Sequence, residues 1–130
     1  MISQTSRYAI RAMVWMAKQP LGTAFTAKAL AESTGVSADY LAKILRRLVV
    51  AGLLTSRRGP GGGFILAKPP ADVRFLDVLL AVDQMQDDRE CAFGWGQCDA
   101  DLPCPIHTPW AELQATIHSW AERHTLADGA

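Results

Sequence analysis

The run Arg57-Arg58-Gly59-Pro60-Gly61-Gly62-Gly63-Phe64 is the strongest constraint on what this chain can fold into. Neither a helix nor a central strand passes easily through four glycines and a proline in five positions, because glycine loses the most backbone freedom on ordering and proline lacks an amide donor. The chain must turn there, and the flanks decide what the turn joins. Leu53-Leu54-Thr55-Ser56-Arg57 on one side and Phe64-Ile65-Leu66 on the other both read as strands, so the expected element is a tight antiparallel hairpin with two arginines at the entry to its tip. The rival reading of the glycines is a cradle for nucleotide phosphates. It lacks the strand, loop and helix order and the Lys-Ser/Thr ending that such a cradle needs.

Upstream of the hairpin the periodicity changes from two to about three and a half. From Gln4 to Lys18 the apolar residues Ala9, Ile10, Met13, Val14 and Ala17 recur at steps of three and four, which predicts an amphipathic helix ended by Gln19-Pro20-Leu21-Gly22. Thr26 can cap a short helix over residues 27–33 with Leu30 facing inward, and Thr34-Gly35-Val36 makes a tight turn. Ser37 then caps another helix, with Asp39 at the positive end of its dipole, a buried stripe of Leu41, Ile44, Leu45 and Leu48, and Gly52 as its stop. Two helices joined by a short glycine-containing turn, the second one basic, form a helix-turn-helix, and the hairpin behind them is a wing.

The formal charge is zero, but it is unevenly distributed. Residues 1–68 carry ten Lys and Arg against two acids, a balance of +8, while residues 69–130 carry three Arg against eleven acids, a balance of −8. A basic half is the footprint of a polyanion-binding surface, and an acidic half is repelled from the same polyanion and so orients the molecule on it. Lys68-Pro69-Pro70-Ala71-Asp72 reads as a stiff, non-helical linker at the same point. The expected organisation is a winged helix-turn-helix DNA-binding domain over 1–68, followed by a cysteine loop and dimerisation helix over 69–130. The fold class is mainly α with a small β wing.

In the second half, Phe75 to Val82 predicts a helix, and Thr108-Pro109 opens a last helix running to about His124. Trp110, Leu113, Ile117 and Trp120 lie on it at steps of three, four and three, the spacing of a coiled-coil seam. Two tryptophans on one stripe of a terminal helix exceed what so small a monomer readily hides, so these four residues are the expected homodimer interface.

All three cysteines, Cys91, Cys98 and Cys104, fall in the acidic stretch between those helices, and the spacing Cys-x6-Cys-x5-Cys-x2-His ends at His107. Cysteines placed for packing would scatter along the apolar periodicities. Three thiolates and an imidazole instead supply four soft or borderline ligands, which suits an iron-sulfur cluster, a structural zinc, or a metal-free set of redox thiols. The odd count argues against a secreted disulfide framework, and neither a signal peptide nor an apolar run of the roughly 20 residues needed to span a bilayer is present, so a cytoplasmic protein is expected. No Ser-His-Asp order, phosphate loop or carboxylate pair suggests an enzyme.

Ser6-Arg7-Tyr8-Ala9, the helix start Ser37-x-x-Tyr40-Leu41, the wing Arg58-Gly59-Pro60-Gly61-Gly62-Gly63-Phe64-x-Leu66, Ala81-Val82-Asp83 and the three cysteines with His107 together resemble the IscR/NsrR-type family of dimeric bacterial winged-helix regulators, many of which sense through an iron-sulfur cluster. The resemblance covers nearly the whole chain. It implies a double-stranded DNA partner with a palindromic operator, the helix from Ser37 to Val50 in the major groove and the wing in the minor groove. Thr26, Ser37, Tyr40, Lys43, Arg46, Arg57, Arg58, Gly59 and Gly62 are then the candidate DNA-binding residues, with Arg58 suited to a narrow, electronegative minor groove and Arg46 and Arg47 to phosphates or solvent. It also implies an iron-sulfur cluster on Cys91, Cys98, Cys104 and His107, read as [2Fe-2S] with [4Fe-4S] as the alternative. Some relatives complete their cluster with a carboxylate from the first helix of the partner subunit. Here the corresponding position is Tyr8 and the first acid is Glu32, which moves weight onto His107.

Overall fold

The computed structural model describes residues 2–82 and 107–130. Among the described residues six α-helices and one hairpin follow in the order α1 (Gln4–Ala17), α2 (Ala27–Thr34), α3 (Ala38–Val50), β1 (Leu54–Arg57), β2 (Gly63–Leu66), α4 (Phe75–Val82), α5 (His107–Arg123) and α6 (Leu126–Gly129). Each of the first three helices starts on a hydroxyl that satisfies an otherwise orphaned amide. Ser3 Oγ accepts from the Ser6 amide at 3.1 Å, Thr26 Oγ1 from Ala29 at 3.0 Å, and Ser37 Oγ from Tyr40 at 3.3 Å.

The hairpin is antiparallel, with Leu54 opposite Leu66, Thr55 opposite Ile65, Ser56 opposite Phe64 and Arg57 opposite Gly63. The strand β2 is held near the tip by a third extended residue that periodicity cannot reveal. The Phe25 amide donates to the Phe64 carbonyl at 2.9 Å, and the Phe64 amide returns the bond to the Phe25 carbonyl at 2.7 Å. Since Phe25 immediately precedes the cap of α2, the wing is fixed to the helix-turn-helix rather than hanging from the end of α3.

One apolar core joins both halves of the chain. Ala9, Ala12, Met13 and Met16 of α1 meet Leu41, Ile44, Leu45 and Leu48 of α3, and the same core takes in Leu76, Val78 and Leu79 of α4 and Leu126 of α6. Each fully buried aliphatic side chain contributes about 1.5–3 kcal/mol of transfer free energy, so the stripe on α3 alone anchors that helix firmly. Among the described residues no helix is long and apolar enough to cross a membrane.

Two features differ from the sequence expectation. The Pro69-Pro70 segment is not wholly non-helical, because Pro70–Asp72 forms a single 3₁₀ turn, for which a proline at the first position is well suited. The short α6 was not expected at all. Its four residues carry one large apolar side chain, Leu126, too little to display a period, yet that side chain is fully buried. The start of α4 is tied to it: the Phe75 amide donates to His124 O at 2.9 Å and the Leu126 amide to Val73 O at 3.0 Å.

Candidate nucleic-acid interface

Burial of the Leu41, Ile44, Leu45 and Leu48 stripe leaves Asp39, Tyr40, Lys43, Arg46 and Arg47 on the outward side of α3. Lys43 and Arg46 are exposed, as are Arg57 and Arg58 at the entry to the wing tip. No carboxylate among the described residues lies within ion-pairing distance of these four cations. An exposed set of unneutralised cations on a helix and an adjoining hairpin is the arrangement that releases counterions from a nucleic-acid backbone.

The wing tip is shaped by glycine at two positions. A Cβ at Gly62 would run into the Arg57 carbonyl oxygen, and the Gly62 amide closes the turn by donating to Gly59 O at 2.9 Å. Gly63 has φ 140°, and a Cβ there would run into the Phe25 carbonyl that pins the wing. Both residues are therefore needed for the hairpin to close and dock, and Arg57, Arg58 and Gly59 ride on that frame.

Thr26 and Ser37 are exposed caps whose hydroxyls already serve the α2 and α3 amides. Tyr40 keeps 39% of its surface exposed, and its hydroxyl lies 2.6 Å from Thr5 Oγ1 of α1. Arg47 behaves differently from its neighbour Arg46, because its Nη1 donates to the carbonyl of Val82 at the end of α4, 3.2 Å away. Sequence reasoning did not distinguish these two arginines and did not single out Thr5 or Phe25. Each of the contacts involved spans 35 or more positions, and no local pattern encodes them.

On α5, Trp110 is buried at 8% exposure within this chain, whereas Leu113 and Trp120 keep 43% and 37%. Trp120 lies over Phe75 with ring centroids 5.2 Å apart and planes at 23°, and Ile117 is half-buried between them along the helix. Cys91, Cys98 and Cys104 lie outside the described residues, and His107 is described only as the first residue of α5. Among the described residues no group of three or more His, Cys, Asp or Glu side chains could hold a metal ion.

A capped helix-turn-helix, a glycine-shaped wing docked against it and exposed cations on both define a winged-helix DNA-binding regulator. The family model described as Rrf2, an iron-dependent transcriptional regulator, matches residues 2–129, and the chain belongs to that family. It is similar to the HTH-type transcriptional regulator IscR of Yersinia pseudotuberculosis, at 33% identity over 127 residues covering 98% of this chain and 77% of the relative. IscR of Vibrio atlanticus is 32% identical over 127 residues, covering 98% and 73%. Among solved structures, CymR, the global cysteine regulator of B. subtilis, superposes with a TM-score of 0.79 at 23% identity, covering 98% of this chain and 94% of that one. T. potens IscR superposes with a TM-score of 0.70 at 26% identity, covering 98% and 84%. The relatives are named as transcriptional regulators, a DNA-binding and non-enzymatic class.

Proposed function

We propose that this transcriptional regulator acts in the cytoplasm as a homodimer on a palindromic operator, with promoter affinity set by an iron-sulfur cluster. The observation that carries the DNA-binding half is the exposure of Lys43 and Arg46 on α3 and of Arg57 and Arg58 on a wing that Phe25 fixes to the start of α2. α3 enters the major groove and Arg58 the minor groove, while Thr26, Ser37, Arg46 and Arg57 contact phosphates and Gly59 and Gly62 let the wing backbone approach closely. Residues 1–68 form the reading domain and residues 69–130 the regulatory one. The apolar face of Leu113, Ile117 and Trp120, with Trp110 at its buried end, seats the second copy.

The donor set fits the cofactor on its chemistry: three thiolates and an imidazole within seventeen residues match the soft and borderline ligands that hold such clusters. Cys91, Cys98, Cys104 and His107 hold it, as [2Fe-2S] in preference to [4Fe-4S]. Bound there, the group supplies a redox- and nitric-oxide-sensitive centre, and a nitrogen ligand raises its potential relative to all-thiolate ligation. Relatives named IscR and a family described as iron-dependent support this reading.

Anaerobic purification tests the cofactor. Wild type is expected to be coloured, with stoichiometric iron and sulfide, and Cys98→Ala colourless. A colourless wild type that is zinc-replete, or metal-free with reversibly oxidisable thiols, would replace the cluster with the other two readings of the same cysteines.

A further inference from the structure

We propose that Thr5, on the first helix, is a positioning residue for sequence reading, acting through Tyr40. The inference rests on the reading of α3 as the groove-entering helix. Tyr40 stands in the first turn of α3, the end from which such helices reach base edges. Its ring is gripped from α1 on two sides. Thr5 Oγ1 lies 2.6 Å from the Tyr40 hydroxyl, and the ring of Tyr8 meets that of Tyr40 edge to face at 6.0 Å and 88°. Tyr8 is itself fixed, since Gln4 Nε2 donates to its hydroxyl at 2.6 Å and the Arg11 guanidinium lies 5.7 Å over its ring.

Stability does not require this arrangement. The Thr5–Tyr40 pair is exposed, so water would serve both hydroxyls nearly as well, and a surface hydrogen bond between groups 35 positions apart adds little to the folded state. What the contact does fix is geometry. It holds a half-exposed aromatic in one rotamer at the reading end of α3, and it leaves the phenol oxygen with only part of its hydrogen-bonding capacity for a base or phosphate. Preorganised side chains discriminate better than mobile ones because ordering is completed before the partner arrives. The consequence falls on specificity, since a phosphate-contacting cation is not involved.

The test uses the full chain and a duplex selected by the wild-type protein from a random pool, compared with an unrelated duplex of equal length. Thr5→Val keeps the shape and removes the hydroxyl; it is expected to lower the ratio of selected to unrelated affinity by about fivefold to tenfold. Affinity for the unrelated duplex and the slope of affinity on salt should not change, because the charge is unaltered. Thr5→Ser should restore the wild-type ratio, and Tyr40→Phe, which removes the phenol oxygen itself, should lose at least as much as Thr5→Val, with the double variant no worse than Tyr40→Phe alone. A wild-type ratio in Thr5→Val would overturn the proposal, as would an equal loss on both duplexes or failure of Thr5→Ser to rescue. A wild-type protein that selects no sequence would overturn the base-reading role of α3 and the positioning role together, whereas clear selection indifferent to Thr5 would overturn the positioning role alone.

Discussion

The Arg47 guanidinium, in the last turn of α3, donates to the carbonyl oxygen of Val82, the last residue of α4, at 3.2 Å. The final carbonyls of a helix have no partner within it, and a cation there complements the negative end of the dipole. The contact therefore ties the reading helix to the last described residue of α4.

That geometry separates two adjacent arginines. Arg47→Gln should lower the unfolding free energy by about 1–2 kcal/mol, read from urea titration, because a part-buried carbonyl loses a charged donor. Arg46→Ala, at an exposed position, should shift stability by no more than about 0.5 kcal/mol while weakening DNA binding and reducing the salt slope by about one unit. The reverse pattern would mean that the two roles have been exchanged.

The start of α4 carries an acid-sensitive contact. Partial burial pushes the Asp77 carboxyl up, but the Arg74 side chain at 2.9 Å and the Arg74 amide at 2.9 Å outweigh it, and its pKa lies below the ordinary value. A lowered folded-state pKa contributes stability that is present above the unfolded value of about 4 and is lost as pH falls through the folded value. Asp77→Asn should thus be less stable than wild type at pH 7, with the gap in urea midpoints closing as pH falls below the ordinary carboxylate range. A gap that is constant with pH would assign the loss to packing instead.

Gly63→Ala tests the docking of the wing. With φ 140° and the Phe25 carbonyl in the way of a Cβ, the substitution should cost about 2 kcal/mol or more and break the Phe25–Phe64 bridge. Amide exchange at Phe25 and Phe64 should accelerate, and DNA affinity should fall together with that of Arg58→Ala. Normal exchange and affinity would show that the wing tolerates a shifted contact with Phe25.

The exposed face of α5 predicts the oligomer. Wild type should sediment at twice the 14.1 kDa chain mass, and Leu113→Glu should reduce it to a monomer while leaving the helical signal intact. Leu113 is the informative position because Trp120 also stacks on Phe75 of its own chain, so its removal would disturb the monomer too.

Much of the fold could be read from local chemistry. The Leu41, Ile44, Leu45 and Leu48 stripe, the Ser37 and Thr26 caps and the glycine-proline turn each state their structure within a few residues, and α3, α2 and the hairpin follow from them. What stayed hidden is long-range or too small to repeat. The Phe25–Phe64 bridge is a single pair, α6 has one buried leucine, and the bonds of Arg47 and Thr5 depend on how α1, α3 and α4 pack. The candidate site divides the same way. Its cations were legible from composition along the chain, but the support beneath them was not, and the cysteine readings fall on residues outside those described.

Control of DNA affinity by the cysteine segment is tested directly by an anaerobic titration of the selected duplex, followed by fluorescence anisotropy. The same preparation would be measured before and after removal of iron and sulfide, at fixed salt. The two states are predicted to differ in dissociation constant by at least about fivefold, the lower end of typical coupling between sites. Superimposable isotherms from a protein that demonstrably lost its iron and sulfide would contradict it.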